Sequence, residues 1–143
     1  MIEAARSVHA AIDAVDIAIS DALGIHRNDL RCLNLLKNGP LMASEIGKKT
    51  GLTSGSVTAL VDRLEQAGFV ERKRSSTDRR VIEVRIPPDA YTRIDMLYRE
   101  VGGAVRARFS SLEPDKLLAV IDTLTSFASA YRVAMEKLPT AED

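Results

Sequence analysis

The run LTSGSVTALVDRLEQAGFVERKRSSTDRRVIEVRI, residues 52–86, changes its apolar period at Gly68, and this restricts the fold more than any other feature of the chain. Before the glycine, Val57, Leu60, Val61 and Leu64 recur with the 3.6-residue period of a helix. After it, Val70 runs into Glu71, Arg72 and Lys73, and Ile82, Val84 and Ile86 alternate with Val81, Glu83 and Arg85. A period of two on either side of a polar tip predicts a two-stranded hairpin. Pro87-Pro88 closes its second strand, because proline brings no donor to a ladder. A helix that delivers the chain straight into a hairpin needs a partner for its apolar stripe, so the flanking segments decide the architecture.

Those segments read as helices. Val8, Ile12, Val15 and Ile19 form a seam on a first helix ending near Gly24. A second runs from about Arg27 to Lys37 with Leu30, Leu33 and Leu36 inward, and stops before the breakers Asn38-Gly39-Pro40. A short third helix, about Ala43 to Thr50, is anchored by Ile46 and ends at Gly51. Thr53 is positioned to cap the fourth with its side-chain oxygen. Beyond the hairpin, Ile94, Leu97, Val101, Ala104 or Val105, and Phe109 make one seam. A last helix opens at Pro114 with Leu117, Ile121, Leu124, Ala128, Tyr131, Met135 and Leu138 at coiled-coil-like spacings, and only PTAED reads as frayed.

The expected fold class is therefore mainly α with a small β-hairpin wing, a winged helix-turn-helix flanked by N- and C-terminal dimerisation helices. The expected division is 1–24 for an N-terminal dimerisation helix, 25–88 for the winged unit and 89–143 for C-terminal dimerisation helices. Seams at both chain ends exceed what a small core needs, so they read as a homodimer interface, with an intramolecular helical layer as the plainer reading. Gly102-Gly103 inside one of these helices costs about 1 kcal/mol per glycine relative to alanine, which a kink or close packing would explain.

The formal net charge is zero, yet residues 26–87 hold 12 Lys and Arg against 7 Asp and Glu, and the remainder 8 against 13. That asymmetry concentrates a positive field on the middle of the chain, where a polyanion would bind. No uninterrupted apolar stretch reaches the roughly 18 residues of a membrane span. The N-terminal segment has no basic-then-apolar block of a signal peptide. The lone Cys32 excludes an internal disulfide. A cytoplasmic setting with no membrane partner is the expectation.

Two helices joined by a glycine turn, the second with small polar residues outward, have helix-turn-helix syntax. Ser54, Gly55, Ser56, Thr58, Ala59, Asp62 and Arg63 face away from the stripe, and a small leading face is what a major groove admits. An amphipathic helix with an ordinary polar surface explains the same pattern. The hairpin adds weight to the first reading: Arg72, Lys73, Arg74, Arg79 and Arg80 stand against the single acid Asp78. An exposed Asp–Arg pair contributes only about 0.2–1 kcal/mol. Aiming a guanidinium is thus a better reason for Asp78 than stability, and a narrow minor groove is the place such an arginine suits.

The run GPLMASEIGKKTGLTSGSVTALVDRLEQAGFVERKRSSTDRRVIEVRI resembles the winged helix-turn-helix of MarR-type transcriptional regulators, most specifically in VDRLEQAGFVER followed by DRR and an alternating strand. The resemblance covers roughly residues 24–87 by motif and the flanking helices by layout. It implies a triangular homodimer with interlocked terminal helices, a recognition helix in the major groove and a wing in the adjacent minor groove. It further implies a cytoplasmic regulator of transcription, more often a repressor, on double-stranded DNA carrying a pseudopalindromic operator. Release by a small-molecule effector is implied by the family alone.

Carried over by position, Asp78 and Arg80 match the Asp-x-Arg wing motif, with Arg80 as the groove-inserting residue. Ser54, Ser56 and Thr58 fall on DNA-facing helix positions. Arg63 matches the Asp-Arg-Leu arginine, as a phosphate contact or a structural ion pair. Arg72 and Arg74 join the DNA-binding set, and Arg79 is either a phosphate clamp or solvated. Met42 departs from the family's capping Thr or Ser, Ala59 from a longer polar residue, and Pro87-Pro88 from Leu-Thr.

Catalysis finds little support, and an enzyme is not expected. GKKT at 47–50 lacks the glycine and hydroxyl residue of a phosphate loop, and SGSV lacks the frame of a nucleophile elbow. His9 and His26 have no partners at metal-ligand spacing, so neither a metal nor a cofactor is expected. Cys32 lies between core leucines rather than in the first helix, where a peroxide-sensing branch of the family carries its cysteine, so it reads as packing. The rival function is a winged-helix protein-interaction module that does not bind DNA.

Overall fold

The computed structural model describes residues 1–135 and 137, and the seam residue Leu138 lies outside the described residues. Eight elements follow in order: α1 (Ile2–Leu23), α2 (Arg27–Leu36), α3 (Ala43–Thr50), α4 (Ser54–Gln66), β1 (Glu71–Arg74), β2 (Ile82–Arg85), α5 (Pro88–Phe109) and α6 (Pro114–Met135). The chain forms two compact units, Met1–Val101 and Gly102 onward. The mainly helical fold with one antiparallel hairpin is the class expected from the sequence.

In the first unit the core is built where the periodicities point. Leu33, Ile46, Val57, Leu60, Val61, Leu64, Phe69, Val84 and Ile94 are all buried in one cluster. Gly51 and Gly68 have φ of 75° and 74°, left-handed values that a side chain resists. They make the turn into α4 and the turn out of it. A Cβ on Gly47 would stand 3.2 Å from the Leu52 carbonyl oxygen, so the lack of one there lets α3 approach the turn closely. Thr53 caps α4 by accepting the Ser56 N–H at 3.3 Å.

The hairpin pairs Glu71 with Arg85, Arg72 with Val84, Lys73 with Glu83 and Arg74 with Ile82. Its base has a third member that the sequence does not advertise. Leu41 exchanges both backbone hydrogen bonds with Val84, at 2.8 and 3.1 Å. Only Val84 of β2 reaches the core; Ile82 is 49% exposed, because the strand pair leaves the globule before that position. Phe69 and Val70 are both buried and precede β1, whose own residues do not alternate: Glu71 is half-buried and Arg72, Lys73 and Arg74 are exposed. Met42 leaves the start of α3 better secured than its side chain suggests. Its N–H donates to the Glu45 carboxylate at 2.7 Å, half of a capping box.

Pro88 opens α5, which packs back on the unit through buried Ala90 and Ile94. The Tyr98 hydroxyl donates to Asn34 Oδ1 at 2.9 Å, and the Lys37 ammonium lies 4.0 Å from the centre of the Tyr98 ring. Burial, and Asp16 nearby, raise the Tyr98 phenol against the opposing Asn34 hydrogen bond, so it stays protonated and able to donate.

In the second unit the seam residues of α6 are exposed: Leu117 by 38%, Ile121 by 51% and Leu124 by 55%. An apolar cleft of about 500 Å³ lies between the end of α5 and α6, lined by Val105, Phe109, Leu117, Val120, Ile121 and Leu124 among others. A Cβ on Gly102 or Gly103 would meet open space, so no close packing within the described chain requires either. One expectation needs correction here. The most apolar 18-residue stretch of α6 has a mean hydropathy of 1.2, long and apolar enough by composition for a membrane span. Counting uninterrupted apolar runs missed it, since Thr, Ser, Asp122 and Arg132 interrupt the run while Leu, Ile, Val and Ala carry the average.

Cys32 is fully buried, and its thiol is pushed from 9.0 to about 12, first by burial and then by the nearby Asp29 charge. Native and unfolded chains both keep the proton below pH 9, so the thiol's contribution to stability is full there and is lost as pH rises toward 12. Native protein at pH 8 should therefore resist alkylation by iodoacetamide and react once unfolded in urea, as read by mass spectrometry. Rapid labelling of the native chain would contradict this placement.

Candidate nucleic-acid interface

The outward side of α4 follows from its inward one. With Val57, Leu60, Val61 and Leu64 buried, Ser54, Gly55, Ser56, Thr58, Ala59, Asp62 and Arg63 are all exposed residues. The hydroxyls on this side are partly used within the helix. Thr58 donates to the Ser54 carbonyl at 3.0 Å, and Ser56 shares a hydrogen bond with Thr53 at 2.9 Å.

Arg63, left open between two roles by the sequence, is committed in the structure to an ion pair. Its Nη2 donates to Asp29 Oδ1 at 2.7 Å. Asp29 is 2% exposed, and its other oxygen accepts the His26 N–H at 3.3 Å. A buried carboxylate without such partners would be strongly destabilising. The Asp29 hydrogen bond raises the Arg63 pKa and keeps the guanidinium charged.

Arg72 is likewise engaged. It bonds Asp62 at 2.6 Å and also pairs with Glu65, and its N–H donates to Glu65 as well. Burial pulls its pKa down, but the two carboxylates outweigh that and leave it raised. The pairs tie the base of the hairpin to the C-terminal half of α4. Arg85 is paired with Glu71 across the strands.

The tip is different. Among the described residues Lys73, Arg74, Arg79 and Arg80 have no carboxylate within ion-pairing distance, and all four are exposed. Most acids of the middle segment are consumed in pairs or caps, so the wing tip keeps four unpaired cations close together, with Arg31, Lys37, Lys48 and Lys49 also outside ion pairs elsewhere in the segment. The loop between the strands is held by its own polar groups. The Ser75 N–H donates to the Val81 carbonyl at 2.9 Å, and the Val81 N–H to the Asp78 carbonyl at 2.9 Å. The Thr77 N–H donates to Ser75 Oγ at 3.3 Å.

Asp78 aims Arg80 in a way other than expected. Its Oδ1 accepts the Arg80 backbone N–H at 2.9 Å, and no guanidinium pairs with it. This is an Asx turn, in which a short carboxylate closes a ring with the amide two residues on. The carboxylate fixes where the Arg80 side chain departs and leaves its charge unneutralised. Arg74 Nη1 reaches toward the Arg79 carbonyl at 3.4 Å. Sequence reasoning missed Asp29, whose only local signal is an acid three residues into a helix, and Leu41, which has none.

Comparison with known proteins bears on this arrangement. A family model described as MarR family matches residues 23–81. YcgE of Bacillus subtilis, named as an uncharacterized HTH-type transcriptional regulator, is 52% identical over 68 residues, which cover 47% of this chain and 44% of that protein. YfiV of the same organism, also named as an HTH-type transcriptional regulator, is 32% identical over 109 residues, covering 76% of this chain and 68% of its own length. The chain therefore spans less than half of the first of these relatives. In fold it is similar to the structure of a MarR family protein from Bacillus stearothermophilus, with a TM-score of 0.74 over 91% of each chain at 21% identity.

The two accounts of Asp78 separate by substitution. Asp78→Ala should lose the slowed hydrogen exchange of the Arg80 amide, while Asp78→Asn, which keeps an acceptor oxygen and loses only the charge, should retain most of it. Equal loss in both variants would restore the ion-pair account.

Proposed function

Because this chain belongs to the MarR family of transcriptional regulators, we propose that it acts as a homodimeric, sequence-specific DNA-binding regulator in the cytoplasm. The observation that carries this reading is the wing: four unpaired cations on a tip braced by Ser75 and Asp78, beyond a helix with a small outward side. Phosphate neutralisation supplies affinity, and Lys73, Arg74 and Arg79 are suited to it. Arg80 enters the minor groove beside the one that receives α4. Ser54, Ser56 and Thr58 face the major groove, whereas Arg63 and Arg72 hold the readers in place through Asp29, Asp62 and Glu65.

Residues 25–88 serve as the reading unit, and 1–24 with 89–143 as the pairing helices. The exposed Ile2, Val8 and Ile12 of α1 and the exposed seam of α6 support the pairing role. Two-fold pairing sets two α4 helices on half-sites about one helical turn apart. A dimer on such an operator obstructs transcription without further contacts, so repression is the simplest outcome. For effector release, a cleft of about 410 Å³ in the first unit, lined by Asp16, Arg27, Asn28, Leu30, Arg31 and Asn34, is the candidate receptor.

Binding to duplex DNA should weaken steeply between about 50 and 200 mM salt through counterion release. Arg80→Ala should weaken it by about 1–3 kcal/mol with sedimentation still reporting a dimer. Salt-independent or absent DNA binding would favour the protein-interaction module instead. Full-strength binding by Arg80→Ala would remove the wing from the interface.

A further inference from the structure

We infer that α4 recognises thymine, through its C5 methyl group, rather than guanine or adenine through paired hydrogen bonds. This rests on the DNA-binding reading above and names what the helix selects. Bidentate base recognition needs Arg or Lys for guanine and Asn or Gln for adenine. On α4 the one arginine, Arg63, is bound to buried Asp29. The one amide, Gln66, is in the last turn, one residue from Glu65, which is paired to Arg72. The remaining unpaired arginines of the reader are Arg31 on α2 and Arg74, Arg79 and Arg80 on the wing, none of them on this helix.

What α4 offers instead is methyl groups and space. Thr58 spends its hydroxyl proton on the Ser54 carbonyl at 3.0 Å, so it can accept a hydrogen bond and present its methyl but not donate. Ala59 presents a methyl alone. A Cβ on Gly55 would meet nothing within 4 Å, so no neighbour in the chain explains its missing side chain, and it leaves room for a groove edge to approach. Beside these residues a cleft of about 510 Å³ opens between α3 and α4, with Ala43, Gly47, Leu52, Val57 and Thr58 giving it apolar wall and Ser44, Lys48 and Ser54 at its polar edge. Thymine is the only base whose major-groove edge carries a methyl. A notch flanked by the methyls of α4 favours it, and α4 itself brings no bidentate donor to guanine, so any guanine contact there would have to come from Lys48 on α3.

The test begins with selection of bound sites from random duplex DNA by the full chain, followed by resynthesis of the selected duplex with single thymines replaced by uracil. Uracil keeps the pairing and the O4 acceptor and lacks only the methyl. At least one such position per half-site should bind about fourfold more weakly, the equivalent of one buried methyl. Thr58→Ser, which keeps the hydroxyl, should bind the thymine and uracil duplexes within about twofold of each other at that position. Gly55→Ala should keep or raise the thermal midpoint, since alanine is the better helix former, while weakening the selected site several-fold. Silent uracil substitutions, together with a guanine whose 7-deaza analogue abolishes binding, would overturn the inference and leave the DNA-binding reading intact. Failure to select any site, with no salt-sensitive binding, would overturn both.

Discussion

A single buried carboxylate organises the reading unit. Asp29 is nearly inaccessible and would be a liability alone, but one oxygen closes the start of α2 and the other holds Arg63 on α4. A directional contact of this kind fixes rotation about the helix axis more sharply than the non-directional burial of Leu60 and Leu64. Rotation is what decides whether Thr58 and Ala59 face outward together. Through Asp62 and Glu65 the same helix then holds Arg72, and so the base of the hairpin. The chain of contacts runs from α2 to the wing by way of ion pairs anchored on both sides of one helix.

Much of this architecture was legible in the sequence because its signals are local. The start of α4 is written in Thr53, its end in Gly68, and its buried face in four apolar residues at helical spacing. The hairpin is written in the change of period. What could not be read depends on residues far apart in the chain. Arg63 and Asp29 are 34 positions apart, and nothing in the local pattern of either distinguishes a core clamp from a phosphate contact. Leu41 joins the hairpin from before α3, and its single bridge is too short to produce any alternation. Asp78 was legible as a device but not as to its object, because an Asp-Arg-Arg string does not say whether the carboxylate meets a guanidinium or an amide.

A chain with zero formal charge still builds a strongly basic surface, and the pairing pattern shows how. Acids of the middle segment are used in the clamp, the caps and the strand pairs, while the tip keeps its cations unpaired. The acids outside that segment balance the total. Net charge therefore understates the local field, and the distribution along the chain is the better guide.

The bridge between Leu41 and Val84 gears the wing to the end of α2. A two-stranded hairpin alone is marginal in water, and this one gains its third neighbour from the turn Asn38-Gly39-Pro40-Leu41 rather than from its own sequence. Any shift of α2 against α3 must either break both hydrogen bonds at Val84 or carry the strands with it. The tip lies beyond that pivot, so a small displacement at Leu41 is lengthened into a larger sweep of Arg79 and Arg80. The hairpin is in this sense a lever with its fulcrum inside the core.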